Sequence, residues 1–89
     1  MLHIYETSQF KKDSKRVVKQ GKSYDELIDA IEILAAPSPL SAKYRDHALS
    51  GNWQGYRECH VRPDWLLIYA VQGDTLFLAR TGSHAELFK

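Results

Sequence analysis

Hydrophobic and polar positions change period once along this chain, near its middle. Leu2 to Glu6 alternates, with Leu2, Ile4 and Glu6 on one side and His3 and Tyr5 on the other, which predicts a short strand ended by Thr7-Ser8. From Gln9 to Gln20 the spacing is helical: Phe10, Val17 and Val18 face a core, Ser8 serves as N-cap, and Gly21 follows the last turn. Ser23-Tyr24-Asp25-Glu26 has the form of a capping box, in which hydroxyl and carboxylate each satisfy a free backbone donor at a helix start. Leu27, Ile28, Ile31, Leu34 and Ala35 continue it as a 3.6-period stripe until Ala36-Pro37-Ser38-Pro39, where neither proline extends a helix. Two antiparallel helices joined by a tight turn follow from this pattern, then an extended loop through Tyr44.

Beyond that loop the period becomes that of strands. Three runs stand out: Gly55 to Val61, Trp65 to Val71 and Thr75 to Arg80. The second is apolar on both faces, so it belongs at the centre of a sheet with the helices on one side. Gln72-Gly73-Asp74 reads as a hairpin loop, and Gly82 breaks the last strand before a short tail, Ser83 to Lys89. The expected fold class is α+β: an N-terminal strand, a two-helix hairpin, and an antiparallel meander of three or four strands.

At 89 residues the chain suits a single domain, 1–89. Net charge is +1, but Lys11, Lys12, Lys15, Arg16, Lys19 and Lys22 crowd into the first helix and the turn after it, so a basic surface exists on a nearly neutral chain. Cys59 is the only cysteine, which excludes an internal disulfide and suits a cytosolic, reducing compartment. No leader pattern opens the chain, and no apolar run approaches the ~20 residues of a membrane-spanning helix.

Chemistry concentrates between Asp46 and Asp64. His47 and His60 lie there, with Glu58 between them and Pro63-Asp64 ending a strand, and His84 follows the last strand. In an up-and-down meander, the end of one strand and the residue just past the next-but-one strand share an edge, so His60 and His84 converge with Asp64 in the connection beside them. Histidine takes and gives protons near neutral pH, so a pair of them serves as base and acid. RNA carries its own nucleophile, the 2′-hydroxyl; such a site needs only to deprotonate it, stabilise charge at phosphorus and protonate the departing 5′-oxygen. Arg57, Arg62 and Arg80 are candidates for the charge stabilisation.

Competing readings stay open at this point. A lone histidine is most often a hydrogen-bonded surface residue. A zinc site from His47, His60, His84 and either Cys59 or Asp64 fits no standard spacing, and Cys59 and His60, adjacent on a strand, face opposite ways. Trp53, Tyr56, Trp65 and Tyr69 could stack on bases, but Trp65 and Tyr69 read as core; Phe88, next to the C-terminus, is the better candidate to stack on a nucleotide. Ser50 and Ser83 lack a nucleophile-elbow context. The basic helix is a solvated face unless RNA is the ligand, when Lys11, Lys12, Lys15 and Arg16 become phosphate contacts.

The run Asp46-His47-x-Leu49-x-Gly51-x-Trp53-x-Gly55-Tyr56-Arg57-Glu58-x-His60-Val61-x-Pro63-Asp64-Trp65, then Leu67-Ile68-Tyr69 and Arg80-Thr81-Gly82-Ser83-His84-x-x-Leu87-Phe88, resembles the YafQ branch of the RelE/ParE superfamily of bacterial toxins. These motifs cover roughly the second half of the chain, while the first half matches in layout. The resemblance implies a RelE-like microbial RNase fold and a ribosome-dependent mRNA interferase, the toxin of a type II toxin–antitoxin pair. It implies metal-independent cleavage of the codon in the A site of the 70S ribosome by 2′-hydroxyl attack, with no cofactor. It also implies neutralisation by a ribbon-helix-helix antitoxin, in a heterotetramer of two toxins and two antitoxins that reaches operator DNA only through the antitoxin. The family's site residues fall on His47, His60, Asp64, His84 and Phe88, with His84 as proton donor, His47 or His60 as base and Asp64 orienting a histidine or the 2′-hydroxyl. Arg57, Glu58 and Arg80 join Phe88 as substrate-binding candidates; relatives often carry Asp at the position of Glu58. The alternative is a non-enzymatic toxin of ParE type that blocks a protein target such as gyrase, which has no use for the histidine set.

Overall fold

The computed structural model describes residues 1–36 and 42–88. Its elements run β1 (His3–Glu6), α1 (Ser8–Lys19), α2 (Tyr24–Ala35), β2 (His47–Ala48), β3 (Arg57–Arg62), β4 (Trp65–Gln72), β5 (Thr75–Gly82) and α3 (His84–Leu87). The sheet order is β1-β5-β4-β3-β2, antiparallel except where β1 lies parallel to β5. This is the α+β arrangement expected, with β4 at the centre. Prolines 37 and 39, expected to end α2, lie outside the described residues.

Packing explains the central position of β4. Leu67 and Tyr69 join Phe10, Val17, Leu27, Ile31, Cys59, Trp65, Leu76 and Leu78 in a core between the sheet and the two long helices. Leu66 and Ile68 point the other way, into a smaller cluster with Ala79 and Leu87, against which Leu49, Trp53 and Tyr56 pack. Trp65 and Tyr69 are therefore core, as expected. Trp53 and Tyr56 meet edge to face at 5.2 Å and cover the second cluster. A run that is apolar on every position needs cover on both faces, and α3 with the β2–β3 connection supplies the second.

Several local expectations are corrected. Thr7, not Ser8, caps α1: its Oγ1 accepts from Phe10 N at 3.1 Å and donates to the Leu78 carbonyl at 3.0 Å, so one hydroxyl ties the helix start to β5. Ser23 makes no side-chain cap bond, because Glu26, the other half of the expected box, is drawn away to Arg62, whose Nε donates to Oε2 at 3.0 Å. The complete capping box lies instead at Ser83 and Glu86, where the expected tail is the helix α3. Val18 is 45% exposed, since the helix already buries Phe10, Asp13, Ser14 and Val17 on its inner side. Ala42–Tyr44 is a turn of 3-10 helix rather than extended chain, and His47–Ala48 forms a strand. Gly82 ends β5 rather than breaking it earlier; a Cβ there would lie 2.5 Å from Arg16 Nη2.

Asp13 holds the first helix to the sheet. β1 pairs β5 only as far as Leu78, and beyond that point side chains from α1 take over the edge. Thr81 N donates to Asp13 Oδ2 at 3.2 Å, and Arg16 Nη2 donates to the Thr81 carbonyl at 2.8 Å. Asp13 also accepts from Arg80 Nε (2.8 Å) and Nη2 (3.1 Å), Arg16 Nη1 (2.7 Å) and Gln9 Nε2 (3.1 Å), with its side chain wholly buried. Burial alone would raise its pKa; the bonds from Arg80, Gln9, Arg16 and Thr81 outweigh it and hold the carboxyl below its ordinary value. A carboxylate lowered on folding stabilises fully above its unfolded pKa of about 3.9, and that contribution is lost as pH falls through the folded value. Asp13→Ala should cost about 3–5 kcal/mol, because two guanidinium groups and two amides lose their acceptor. Urea melts at neutral pH and below pH 4 should show the wild type losing stability more steeply than Asp13→Asn; parallel pH curves would show that the clamp contributes nothing.

Candidate active site

Register brings the histidines together. His47 lies opposite Glu58, Glu58 opposite Ile68, and Ile68 opposite Arg80, which forms one row across β2, β3, β4 and β5. The next row on that face holds His60, Leu66 and Gly82, and His84 follows β5 as the first residue of α3. Along β3, Cys59 and Val61 pack into the core under the helices, so Glu58 and His60 occupy the opposite face. Ring centroids are 6.4 Å apart for His47 and His60, 5.9 Å for His60 and His84, and 6.2 Å for His84 and Phe88. Four residues from three separate stretches thus form a continuous line; the convergence of His60 and His84 is as expected, and Phe88 extends it.

Each imidazole is fixed through one nitrogen. His47 Nδ1 lies 2.9 Å from the Arg45 carbonyl, which only accepts, so Nδ1 carries the hydrogen. Arg45 takes a left-handed backbone (φ 49°) to aim that carbonyl, a conformation with a cost for a non-glycine residue that the His47 bond explains. His84 Nδ1 lies 3.0 Å from Asp64 Oδ1, which also accepts from the His84 backbone N–H at 3.1 Å. The bonds from His84 hold the exposed Asp64 carboxyl below its usual range. In both rings Nε2 is left for chemistry, and both side chains are about half exposed.

His60 differs. Its Nε2 is 3.2 Å from Glu58 Oε1, its Nδ1 is buried without a partner, and only 12% of the side chain is exposed. Glu58, 4% exposed, has two neighbours for its carboxylate among the described residues, both imidazoles: His60, and His47 Nε2 at 3.8 Å. Glu58 lies beneath the two histidines.

The remaining candidates spread out. Arg57 lies on the other face of the sheet, where Nε and Nη2 donate to Asp46 at 3.3 and 3.1 Å and Asp46 also accepts from the Tyr69 hydroxyl. Arg80 stands in the Glu58 row with Nε and Nη2 committed to Asp13. Lys11, Lys12 and Lys15 are exposed on α1, which packs on the face opposite the histidines, while Arg16 binds Asp13, Glu86 and the Thr81 carbonyl.

Glu58, His60 and His84 each offer one ligand atom, all within 4.8 Å of one another. One carboxylate and two imidazoles suit a transition metal ion such as copper or zinc. Cys59, weighed as a zinc ligand, faces the core; burial pushes its thiol up to about 12. The thiol should stay unreactive toward a disulfide reagent at neutral pH in the folded protein and react at once in denaturant; rapid labelling of the native state would contradict its placement.

The fold and this cluster define a small α+β protein with histidines and carboxylates gathered on the sheet face opposite its two long helices. The family model for the YafQ bacterial toxins of type II toxin–antitoxin systems matches residues 2–89, and the chain belongs to that family. It is 43% identical over 83 residues to the mRNA interferase toxin YafQ of Escherichia coli K12, with 92% of this chain and 90% of that one covered. The Escherichia coli DinJ–YafQ complex superposes with a TM-score of 0.91 at 41% identity over 100% of both chains. A metal-bound toxin from Helicobacter pylori gives 0.92 at 46% identity, with 99% of this chain and 100% of that one covered.

Proposed function

We propose that this toxin is an endoribonuclease that cuts mRNA in the ribosomal A site by metal-independent attack of the 2′-hydroxyl on the adjacent phosphodiester. Carrying this reading is the pair of imidazoles, His47 and His84, each fixed at Nδ1 by an oxygen acceptor and each with an Nε2 that makes no hydrogen bond among the described residues. His47 Nε2 takes the 2′-hydroxyl proton as the oxygen attacks phosphorus. His84 Nε2 gives a proton to the departing 5′-oxygen, leaving a 2′,3′-cyclic phosphate and a free 5′-hydroxyl. Asp64 orients His84 through Nδ1. His60 and Glu58 set the floor between the two rings. Arg80, whose Nη1 has no hydrogen-bond partner among the described residues, offers charge to the pentavalent phosphorus. Phe88, 39% exposed beside His84, stacks on a flanking base.

The named relatives support the partner as well as the activity. YafQ of Escherichia coli is an mRNA interferase and is found in complex with DinJ. By the same logic this toxin is neutralised by an antitoxin of ribbon-helix-helix type, two copies of each chain forming the complex, which binds operator DNA through the antitoxin.

His84→Ala should abolish cleavage of ribosome-bound mRNA with its melting temperature unchanged, and His47→Ala should lower the rate by about 10²–10⁴. A 5′-bridging phosphorothiolate leaves without needing a proton. It should restore cleavage to His84→Ala and not to His47→Ala; rescue of both or neither would reverse or remove these roles. An active His84→Ala protein, or growth arrest with DNA damage and intact RNA, would favour a non-enzymatic blocker.

The Helicobacter pylori relative is metal-bound, and here Glu58, His60 and His84 would hold such an ion. It would supply Lewis acidity there, at the cost of the His84 nitrogen needed for proton transfer. Cleavage should therefore survive EDTA and fall on adding Cu²⁺ or Zn²⁺ at concentrations that saturate the trio. Loss of activity in EDTA, restored by either ion, would show that the ion belongs to the reaction.

A further inference from the structure

Beside His60, on the edge of the sheet, lies a groove of about 360 Å³ lined by Lys43, Arg45, His60, Val61, Arg62 and Pro63. It exists because β2 pairs only with Arg57 and Glu58, so the outer edge of β3 beyond them has no neighbouring strand. Its charge is one-sided: three exposed cations line it and no carboxylate does. Arg62 is shared with Glu26. Lys43 sits 5.1 Å from the Tyr44 ring centroid, and neither it nor Arg45 has an acidic partner among the described residues.

We propose that this groove is a phosphate track for the substrate strand, in which Lys43 and Arg45 contact backbone phosphates of single-stranded RNA flanking the scissile bond. The proposal rests on the nuclease reading for its substrate and extends it to residues outside the histidine line. His60 belongs to both the groove and that line, so a strand crossing between His47 and His84 leaves over the edge of β3 directly into the groove. The lining contains no Phe, Tyr or Trp and no large apolar side chain to seat a helix, so what it recognises is repeating charge. Arg45 contributes in two ways, since its left-handed backbone anchors His47 through the carbonyl while its side chain lines the groove. A phosphate bound there would thus be positioned relative to the base by a single residue.

The test is binding of a short fluorescein-labelled single-stranded RNA, followed by anisotropy over a series of salt concentrations in the His84→Gln protein with and without Lys43→Ala and Arg45→Asn. Asparagine tolerates the left-handed backbone, so the His47 anchor and the melting temperature should persist. Each phosphate contact contributes about 0.7 to the slope of log affinity against log salt for single strands, so removing two should flatten it by about 1.4. An unchanged slope overturns the track. An equal loss of slope with a duplex RNA hairpin also overturns it, assigning the groove to structured RNA instead. Cleavage of ribosome-bound mRNA is measured in parallel on the protein with His84 intact. Cleavage with an unchanged slope removes the track and leaves the nuclease; a flattened slope without any cleavage leaves the track and removes the nuclease.

Discussion

A buried carboxylate, Asp13, completes an edge that the backbone leaves unfinished, and the far half of the sheet depends on it. β1 ends at Glu6, yet β5 continues four residues past the last paired position, Leu78. An open strand edge in a buried position leaves amide and carbonyl groups that water cannot reach. Asp13 accepts the Thr81 amide and Arg16 donates to its carbonyl, so two side chains from one helix turn stand in for a neighbouring strand. Thr81 in turn accepts from the Trp65 indole at 2.9 Å and donates to the Leu66 carbonyl at 2.8 Å, which carries the constraint into β4. Through Arg80 and the start of α3, the same clamp sets the end of the strand from which His84 projects.

The site is built from register more than from loops. A one-residue slip between β3 and β4 would turn Glu58 and His60 into the core and Cys59 out of it. That slip is opposed by the full burial of Cys59, Leu66, Leu67 and Ile68, each of which fits only one face. Hydrophobic packing of a small core therefore fixes where the imidazoles stand, and individual hydrogen bonds then fix which nitrogen each presents. The two kinds of interaction act at different scales, ångströms of placement and a choice of tautomer, and neither supplies what the other does.

Much of this was legible in the sequence because strand alternation is strict. The double-sided apolar run of β4 gave its central place, and the meander geometry brought His60, Asp64 and His84 to one edge. What escaped depended on partners distant in the chain. Glu26 completes a capping-box pattern with Ser23, but Arg62, thirty-six residues away, takes its carboxylate. Arg16 looks like part of a charged solvated helix until the short length of β1 exposes an edge for it and Asp13 to fill. Local sequence likewise does not reveal that the carboxylate of Glu58 sits against two imidazoles. Ser83-x-x-Glu86 carries the same capping signature as Ser23-x-x-Glu26, and that signal could have found α3.

Exposure links the site to the ribosome in the proposed function. Acid/base chemistry on a phosphodiester gains from a surrounding that excludes water and holds the attacking oxygen in line. Here the His47 and His84 side chains are about half exposed. On the proposed reading the protein supplies proton donor and acceptor and contacts to flanking phosphates, but no enclosing cleft among the described residues forces the 2′-hydroxyl, phosphorus and 5′-oxygen into line. In free RNA that alignment is rare because each nucleotide rotates about several bonds. A ribosome that grips the codon on both sides would supply the alignment from the substrate's side, leaving the toxin only the two protons to move. On that reading the site would act on RNA already held in shape.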